Sequence, residues 1–256
     1  MENLAKGQIS VDDAERLLRV LAIEEIGNMA KIDVGRTFRK GIPEIIIAEG
    51  KRPEDVVEIS LRMLNESGRV IISRAKEDCL DIIRKTTFCD AVLQIDTRAA
   101  IVVVKKKNFE VKRTGGKVGI LTAGTSDIPV AEEARVIAEE MGCEVMTAYD
   151  VGVAGIHRLF SPLREMTQRD VDVVIVVAGR EGALASVVAG LVHAPVIAVP
   201  TSVGYGFGEK GVGALTAMLQ ACALGLAVVN IDGGVAAGTV AALIANRAAG
   251  FRTSSS

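Results

Sequence analysis

The sequence predicts an α/β protein whose larger part is a three-layer α/β/α domain on a parallel sheet, preceded by a small α/β domain. Three observations support this fold class. In the second half of the chain, five short apolar runs are each followed by a polar, glycine-containing loop, and most of these loops lead into a helical pattern. Each of those loops falls where a strand ends. The first 112 residues differ, with amphipathic helices and an apolar hairpin.

The order of strands and helices predicts how the sheet is built. Strands that alternate with helices through short loops are typical of a parallel sheet covered by helices on both faces. The strands are predicted at 118–121, 143–149, 171–178, 195–199 and 227–231, and three of the helices at 183–191, 213–224 and 235–246. Because open α/β sheets bind ligands beyond the carboxyl ends of their strands, we expect the functional residues there.

The amino-terminal part, residues 1–112, is predicted to be a separate small domain, and residues 117–250 the larger one. The predicted elements of the small domain are helices at 10–22, 53–67 and 78–85, a strand and turn at 43–51, a strand at 70–73 and a hairpin of 91–95 with 100–105. Arg36, Arg39 and Lys40 near its start either face an anionic substrate or form a solvated surface.

Composition narrows the functional classes. The chain has 256 residues, a formal net charge of −2 and no tryptophan, which argues against nucleic-acid binding. Its four cysteines have no zinc-type spacing, and the first residues do not form a signal segment. No apolar run is expected to be long enough to span a membrane. A cytoplasmic location is the simplest expectation, without nucleic-acid or membrane partners.

The loop after the first strand of the larger domain predicts an anion site. Gly124, Thr125, Ser126 and Asp127 lie between an apolar strand and a helix that begins near Pro129. Glycine lets a ligand approach the backbone, and the first N–H groups of a helix point at whatever lies over them. A phosphate is therefore the natural ligand, although an ordinary α/β turn with a good helix cap has the same pattern.

The later loops carry further candidate site residues. His157 and Arg158 follow the second strand, and Arg180 and Glu181 stand between two glycines after the third. Each has a simpler interpretation, an ordinary loop histidine in the first case and a helix cap in the second. The remaining candidates are Gly233, after the fifth strand, and Cys222, near the end of a predicted helix, which could equally be a buried structural cysteine.

Two segments carry a resemblance to a known family. Residues 124–129, Gly-Thr-Ser-Asp-Ile-Pro, are similar to the Gly-Ser-x-Ser-Asp-x-Pro loop of the aminoimidazole ribonucleotide carboxylases and mutases of purine synthesis. Residues 178–190 and 195–200 resemble that family's Ala-Gly-x-x-Gly-Ala-Ala segment and the strand after it. Arg180, Glu181 and Cys222 depart from the purine pattern. These departures, together with the leading pattern Ile-Asp-x-x-Arg-x-x-Arg-x-Gly-x-Pro-Glu at 32–44, resemble the LarB family of carboxylase/hydrolases.

The resemblance implies a flavodoxin-like fold and a specific reaction. LarB proteins act in the synthesis of the nickel-pincer nucleotide cofactor. The implied substrates are nicotinic acid adenine dinucleotide and CO2; the pyridinium ring is carboxylated at C5, and the pyrophosphate is cleaved to release AMP. Cys222 would add to the ring as nucleophile, and Glu181 would remove the C5 proton. A homo-octamer with sites at subunit contacts is also implied.

The remaining site expectations concern the phosphates and the metal. Ser126 and Asp127 with their backbone are expected to bind the pyrophosphate, with His157 and Arg158 as charge partners. Arg180 is a further candidate for binding the substrate. No tightly bound cofactor is expected, whereas Mg²⁺ for the hydrolytic step, and any metal ligands, stay open. Two rival functions remain, a purine-pathway carboxylase or mutase and a nucleotide-binding module without catalysis.

Overall fold

The computed structural model describes residues 35–254 continuously, together with residues 4, 6–8, 10–12, 23–26 and 30–33. The helix predicted at 10–22 therefore lies largely outside the described residues. The chain divides into two compact units, Met1–Glu110 and Val111–Ser256. The division falls in the basic, glycine-containing stretch that joins them in sequence.

The amino-terminal unit is built around a four-stranded mixed sheet. Its strands are β3 (Ile45–Ile47), β4 (Arg69–Ser73), β5 (Ala91–Asp96) and β6 (Ile101–Lys106), in the order β3-β4-β6-β5. β3 runs parallel to β4, whereas β6 is antiparallel to both of its neighbours, so the predicted hairpin is confirmed. An antiparallel pair, β1 (Ile23–Ile26) with β2 (Ala30–Asp33), comes before them in the chain.

Two helices cover this sheet. Helix α2 (Pro53–Ser67), which follows the short α1 (Arg36–Lys40), begins with a proline where the missing N–H costs nothing. It ends at Gly68, whose left-handed backbone lets its N–H donate to the carbonyl of Leu64. Helix α3 (Glu77–Lys85) follows β4. Both helices pack their apolar faces into one core, which includes Val56, Ile59, Met63, Leu80 and Ile83.

Ion pairs surround α1. The Nε of Arg36 lies 2.9 Å from Oε2 of Glu44, and Arg39 donates a hydrogen bond to Asp33. That hydrogen bond lowers the pKa of Asp33, whereas burial raises the pKa of Glu44. Each of the two arginines thus faces a carboxylate within its own unit. Contact of Arg36 and Arg39 with an anionic substrate stays a prediction, and Lys40 is exposed.

The carboxyl-terminal unit contains a five-stranded, fully parallel sheet. Its strands are β7 (Lys117–Thr122), β8 (Glu144–Ala148), β9 (Val173–Ala178), β10 (Val196–Pro200) and β11 (Leu226–Val228). Their order, β11-β10-β9-β7-β8, is the flavodoxin-like order 2-1-3-4-5 when counted within the unit. The central strand β9 is buried along its whole length, as helices on both faces require. The predicted three-layer α/β/α fold is confirmed.

The helices of this unit form the two outer layers. They are α4 (Ile128–Glu140), α5 (His157–Gln168), α6 (Ala183–Ala189), α7 (Val212–Leu219) and α8 (Gly234–Ser254). Helices α4 and α8 pack against each other and against the sheet. A Cβ on Gly238 would lie 2.5 Å from the carbonyl oxygen of Ala134, so this glycine permits the close helix contact. Helices α5, α6 and α7 contribute to a second core, with Leu159, Met166, Leu184, Val188 and Met218.

Helix α8 corrects the expectation about membrane spans. By length and composition alone, Gly234–Arg252 could cross a membrane. The helix instead buries Ala237, Ala241 and Ala245 completely, in the layer that it forms with α4. One face of this apolar helix is therefore packed in the core of the α/β unit.

Candidate functional site

The candidate site lies where the strand order of the parallel sheet reverses. The chain leaves β7 towards β8 on one side, whereas β9 lies on the other side of β7. Loops that follow the two central strands therefore diverge and leave a crevice at the carboxyl edge, the usual ligand position in this fold. The loop after β7 contains residues 123–127, and the loop after β9 contains residues 179–182. Both were predicted to carry site residues.

Asp127 joins three loops at this crevice. Its Oδ2 accepts the N–H of Gly124 at 2.9 Å, its Oδ1 accepts the hydroxyl of Thr201 at 2.7 Å, and the N–H of Gly179 donates to the same carboxylate. Asp127 is only 4% exposed. Burial raises the pKa of Asp127, and the three hydrogen bonds oppose that rise. Because three donors of the protein itself bind this carboxylate, Asp127 holds together the loops that follow β7, β9 and β10.

Thr125 and Ser126 remain available in the same loop. Both are exposed, and they form a 3₁₀ turn with Asp127 that leads directly into α4. Pro129 lies in the first turn of that helix, as the sequence indicates. The first N–H groups of a helix have no intrahelical acceptors, and the dipole is positive at this end. The geometry therefore suits the predicted anion contact.

Gly179 is required by the close approach of two loops. A Cβ at this position would lie 2.4 Å from the carbonyl oxygen of Val203 and 2.6 Å from Oγ1 of Thr201. The contact between the loops continues at the next residue, where the N–H of Arg180 donates to the carbonyl of Val203 at 3.3 Å. The loops after β9 and β10 are thus held against each other by backbone contacts.

Arg180 and Glu181 stand exposed before α6 begins. Gly182, with a left-handed backbone, is the N-cap of that helix, so the simpler interpretation of Arg180 and Glu181 as its cap is wrong. Arg180 itself has a φ of 55°, an uncommon conformation for a residue with a side chain. The carboxylate of Glu181 therefore lies in a glycine-flanked turn at the crevice and is accessible from solvent.

The loop after β10 contains the aromatic side chain of Tyr205. The guanidinium carbon of Arg180 lies 4.3 Å from the centre of the Tyr205 ring. Tyr205 is 80% exposed, and Phe207 two residues later is fully exposed. Residues 203–208 of this loop are apolar or glycine except for Tyr205. Within this one chain they form an open loop, so exclusion of water requires a covering element.

The loop after β8 holds His157 and Arg158. Arg158 pairs with Asp150, and its Nε lies 3.4 Å from the carbonyl oxygen of Gly155. His157 is exposed and begins α5, although the sequence was interpreted as a loop at this position. Gly152 lets the loop after β8 pack closely against the loop after β7, since a Cβ at this position would lie 2.5 Å from the carbonyl oxygen of Ala123. Arg158 thus lies at the carboxyl edge of the sheet, as predicted, and its guanidinium forms an ion pair with the Asp150 carboxylate.

The loop after β11 completes the carboxyl edge. The N–H of Ser202 donates to Oδ1 of Asp232 at 2.8 Å, which links this loop to the one after β10. Gly233 forms the turn into α8, where a Cβ would lie 2.7 Å from the carbonyl oxygen of Asn230. Its placement is compatible with the predicted contact to substrate, and close packing against its own chain is a second reason for glycine here.

A carboxylate of the protein itself binds an N–H group in the first turn of α8. Glu133, on α4, is 4% exposed, and its Oε2 accepts the N–H of Val235 at 3.1 Å. A Cβ on Gly234 would lie 2.5 Å from the same oxygen, so the carboxylate sits directly against the first residue of α8. A protein carboxylate thus takes the position that an anion would take at this helix start.

Cys222 lies in a loop, which corrects its predicted helical position. Helix α7 ends at Leu219, whereas the sequence predicted it to continue to residue 224. Cys222 is exposed, so its interpretation as a buried structural cysteine is wrong. A Cβ on Gly182 would lie 3.1 Å from Cε of Met218. The last turn of α7, just before Cys222, therefore packs beside the loop that carries Glu181.

The other cysteines and the second histidine give no sign of a site. Cys79 and Cys143 are buried, and burial raises the pKa of Cys143 to about 11. Cys89 is exposed in the amino-terminal unit. His193 pairs with Asp170 at 3.7 Å, in the loops that precede β10 and β9 and so at the opposite edge of the sheet. Among the residues that the structure describes, no group of three or more His, Cys, Asp or Glu is arranged to hold a metal ion.

Three residues at the crevice were not predicted from the sequence. Thr201 and Asp232 each follow a strand directly or within a few residues, and polar residues at that position could have been included on that ground alone. Tyr205 has a different signal, since it is an aromatic residue in a glycine-rich loop of a chain with only 3% aromatics. Their partners could not be identified without the fold.

Comparison with known families agrees with this architecture. Residues 117–253 match the AIR carboxylase family model, and residues 23–106 match the model of the LarB/PurE-like N-terminal domain. The chain belongs to the AIR carboxylase family, as a member of LarB type. It is therefore a protein of a carboxylase and mutase family.

Individual relatives match either nearly the whole chain or about half of it. An uncharacterised protein of Methanocaldococcus jannaschii is 47% identical over 241 residues, which cover 93% of each chain. The N5-carboxyaminoimidazole ribonucleotide mutase of Thermotoga maritima is 30% identical over 129 residues, or 49% of this chain and 66% of the mutase. The same enzyme of Pyrococcus abyssi is 32% identical over 125 residues, or 46% and 66%. Similarity to the mutases thus covers about half of this chain.

Proposed function

We propose that the protein carboxylates the pyridinium C5 of nicotinic acid adenine dinucleotide with CO2 and hydrolyses its pyrophosphate. The products are pyridinium-3,5-biscarboxylic acid mononucleotide and AMP, for nickel-pincer nucleotide synthesis. The observation that carries the proposal is the placement of an exposed carboxylate and an exposed thiol on adjoining elements. Glu181 precedes Gly182, against which Met218 packs, and Cys222 follows Met218 by four residues, in the loop that precedes β11.

The two side chains can perform complementary steps. Pyridinium C5 is electron-poor and does not attack CO2. Addition of the Cys222 thiolate to C4 removes the aromaticity and leaves an enamine, whose C5 attacks the carbon of CO2 and forms the new carboxylate. Glu181 then accepts the C5 proton, the C5–H electron pair restores the ring, and the C4–S bond breaks to return the thiolate.

The pyrophosphate is proposed to bind at the start of α4. The exposed Thr125 and Ser126 with their backbone offer donors at the positive end of the helix. Arg180 is the cation best placed to assist, because Arg158 is paired with Asp150. Mg²⁺ bound by the phosphate oxygens themselves would polarise the bond that water breaks.

Assembly into a homo-octamer with sites at subunit contacts is part of the proposal. The carboxyl-terminal unit exposes several large apolar side chains, namely Phe207, Val212, Leu219 and Leu224, the last of them 91% exposed. Such side chains indicate that another surface covers them. Light scattering with Leu224→Asp tests this, because a charge at a subunit contact should reduce the oligomer size, whereas an unchanged size would contradict the contact.

A turnover assay tests the reaction. Purified protein, nicotinic acid adenine dinucleotide, dissolved CO2 and Mg²⁺ should yield the biscarboxylate and AMP by mass spectrometry. Cys222→Ser should abolish carboxylation, since a hydroxyl is a far poorer nucleophile near neutral pH. Cys89→Ser, at the exposed cysteine of the other unit, is the matched control and should retain full activity. Full activity of Cys222→Ser would remove this residue from the mechanism.

The same assay decides between the proposal and its rivals. Similarity to the purine-pathway mutases supports a second candidate, rearrangement of N5-carboxyaminoimidazole ribonucleotide, which would need no cysteine nucleophile. Turnover of that ribonucleotide, insensitive to Cys222→Ser, would favour the mutase. Tight binding of a nucleotide without any product from either substrate would favour a module without catalysis.

A further inference from the structure

The contact between Arg180 and Tyr205 carries an inference about how the ligand ring is recognised. The guanidinium lies over the face of the Tyr205 ring, with 4.3 Å between its carbon and the ring centre. The negative π-face of an aromatic ring attracts a cation placed this way. Tyr205 is nevertheless 80% exposed, so the ring has free area for a larger ligand. The free protein thus displays a cation-binding face at its crevice.

Arg180 is held there without a carboxylate. Among the described residues no acidic partner of Arg180 is present, whereas Arg158 at the same edge pairs with Asp150 and Arg135 pairs with Glu132. An exposed cation–π contact is weak and easily exchanged for a similar one. Another planar cation can therefore take the place of the guanidinium, and Arg180 then has its charge available for an anion.

We infer that the face of Tyr205 binds the positively charged pyridinium ring of the substrate, and that Arg180 occupies this face until the substrate arrives. The inference rests on the proposed function, since it requires a pyridinium ligand. Exchange of one cation for another leaves the ring face covered. The displaced Arg180 is adjacent in sequence to Glu181, where it can pair with the carboxylate or phosphate groups of the ligand.

The position of Tyr205 supports recognition of a charged ring. The loop that carries Tyr205 is held to Arg180 by the hydrogen bond from the Arg180 N–H to the carbonyl of Val203. Tyr205 and the catalytic candidate Glu181 therefore belong to two loops in direct contact. A neutral ring such as adenine would gain stacking there, but not the electrostatic attraction that the guanidinium now provides.

Paired ligands that differ in ring charge test the inference. NAD has a pyridinium ring and NADH a neutral ring of the same size, so the ratio of their dissociation constants reports the preference for charge. The measurements use the Cys222→Ser protein, in which no thiolate can add to the ring. We expect Tyr205→Leu to reduce the preference for NAD by roughly threefold to thirtyfold, and Tyr205→Phe, which keeps the π-face, to leave it unchanged.

Tyrosine fluorescence gives an independent signal. The chain has two tyrosines and no tryptophan, so Tyr149→Phe leaves Tyr205 as the one remaining tyrosine. Tyr149 donates a hydrogen bond to Glu132 on α4, away from the Arg180 contact. In the Cys222→Ser protein that also carries Tyr149→Phe, stacking of NAD should quench the fluorescence more strongly than NADH does at equal occupancy. Equal quenching by both ligands would contradict stacking of the charged ring on Tyr205.

The outcomes separate the inference from the proposed function. If wild-type protein forms the biscarboxylate but Tyr205→Leu keeps the full preference for NAD, the inference is wrong and the function stands. If the preference depends on Tyr205 but no carboxylation is found, the ring-binding surface stands and the function is wrong. Loss of the preference in Tyr205→Phe as well would overturn the π-face as its origin.

Discussion

Replacement of Thr201 by valine should destabilise the carboxyl-terminal unit. The Thr201 hydroxyl donates at 2.7 Å to the Asp127 carboxylate, and Thr201 is completely buried. Valine has nearly the same volume but no donor, so the carboxylate loses one of its three protein partners without access to water. Hydrogen bonds to charged groups contribute about 1.5–3 kcal/mol, which sets the expected loss of unfolding free energy. For a unit of this size, the melting temperature should fall by about 3–12 °C.

The loss should depend on pH with a definite sign. Burial raises the pKa of Asp127 above its usual value, so the folded state binds this proton more readily than the unfolded state. The stability that the proton contributes is complete below the unfolded pKa and disappears as pH rises through the folded one. Loss of the Thr201 donor raises the folded pKa further. The Thr201→Val penalty should therefore be larger at about pH 7 than at about pH 5.

Urea denaturation followed by circular dichroism measures this penalty at both pH values. Thr201→Ser is the matched control, because it keeps the hydroxyl and loses only a methyl group. All proteins should be compared at one concentration, since assembly adds to apparent stability. If valine and serine variants unfold at the same urea concentration at neutral pH, or if the valine penalty grows on acidification, the assignment of Asp127 as the charged centre of the loop contacts is refuted.

Three further predictions concern the crevice. Gly179→Ala should separate the loops after β9 and β10, since its Cβ would lie 2.4 Å from the Val203 carbonyl oxygen, and it should lower turnover by about tenfold or more. Gly250→Ala is the control, because this glycine of α8 has ordinary helical backbone and nothing within 4 Å of the added Cβ. Glu181→Gln should stall after ring addition, and deuterium at the substrate C5 should slow wild-type turnover if proton removal limits the rate; an unchanged rate in Glu181→Gln would exclude Glu181 as the base. CO2 rather than bicarbonate should be the substrate, without nucleoside triphosphate, because the chain has no Walker loop. A reaction started with dissolved CO2 should then show a burst that carbonic anhydrase abolishes, and a faster initial rate from bicarbonate would contradict this.

Local sequence signals predicted some elements very closely and failed at others. Helix α2 has the predicted bounds, because proline at its start and Gly68 after its end are unambiguous signals. Helix α7 was predicted five residues too long, since Gln220, Ala221 and Cys222 continue a helical composition up to Gly225. The structure ends that helix early, and this difference moves Cys222 from a helix into an exposed loop.

The sequence predicts which loops carry the candidate site residues, but not which partners these residues contact. The loops at the carboxyl edge follow from the alternation of strands and helices, and Ser126, Asp127 and Glu181 stand in them as expected. The burial of Asp127 could not be predicted, because its partner Thr201 is 74 residues away in sequence. Long-range pairing of this kind depends on which strands are neighbours, and a single sequence does not contain that information locally.

Glu133 gives the carboxyl edge a polarity. Helix α4 presents its own start, with Thr125 and Ser126 exposed, at the crevice beside β7, while its Glu133 neutralises the start of α8 beyond β11. The start of α4 is therefore available to an anion, whereas the start of α8 is neutralised by the Glu133 carboxylate. An elongated ligand with a single anionic segment meets an attractive pole at one end of the edge only. The fold thereby favours one orientation of such a ligand across the sheet before any side chain contacts its rings.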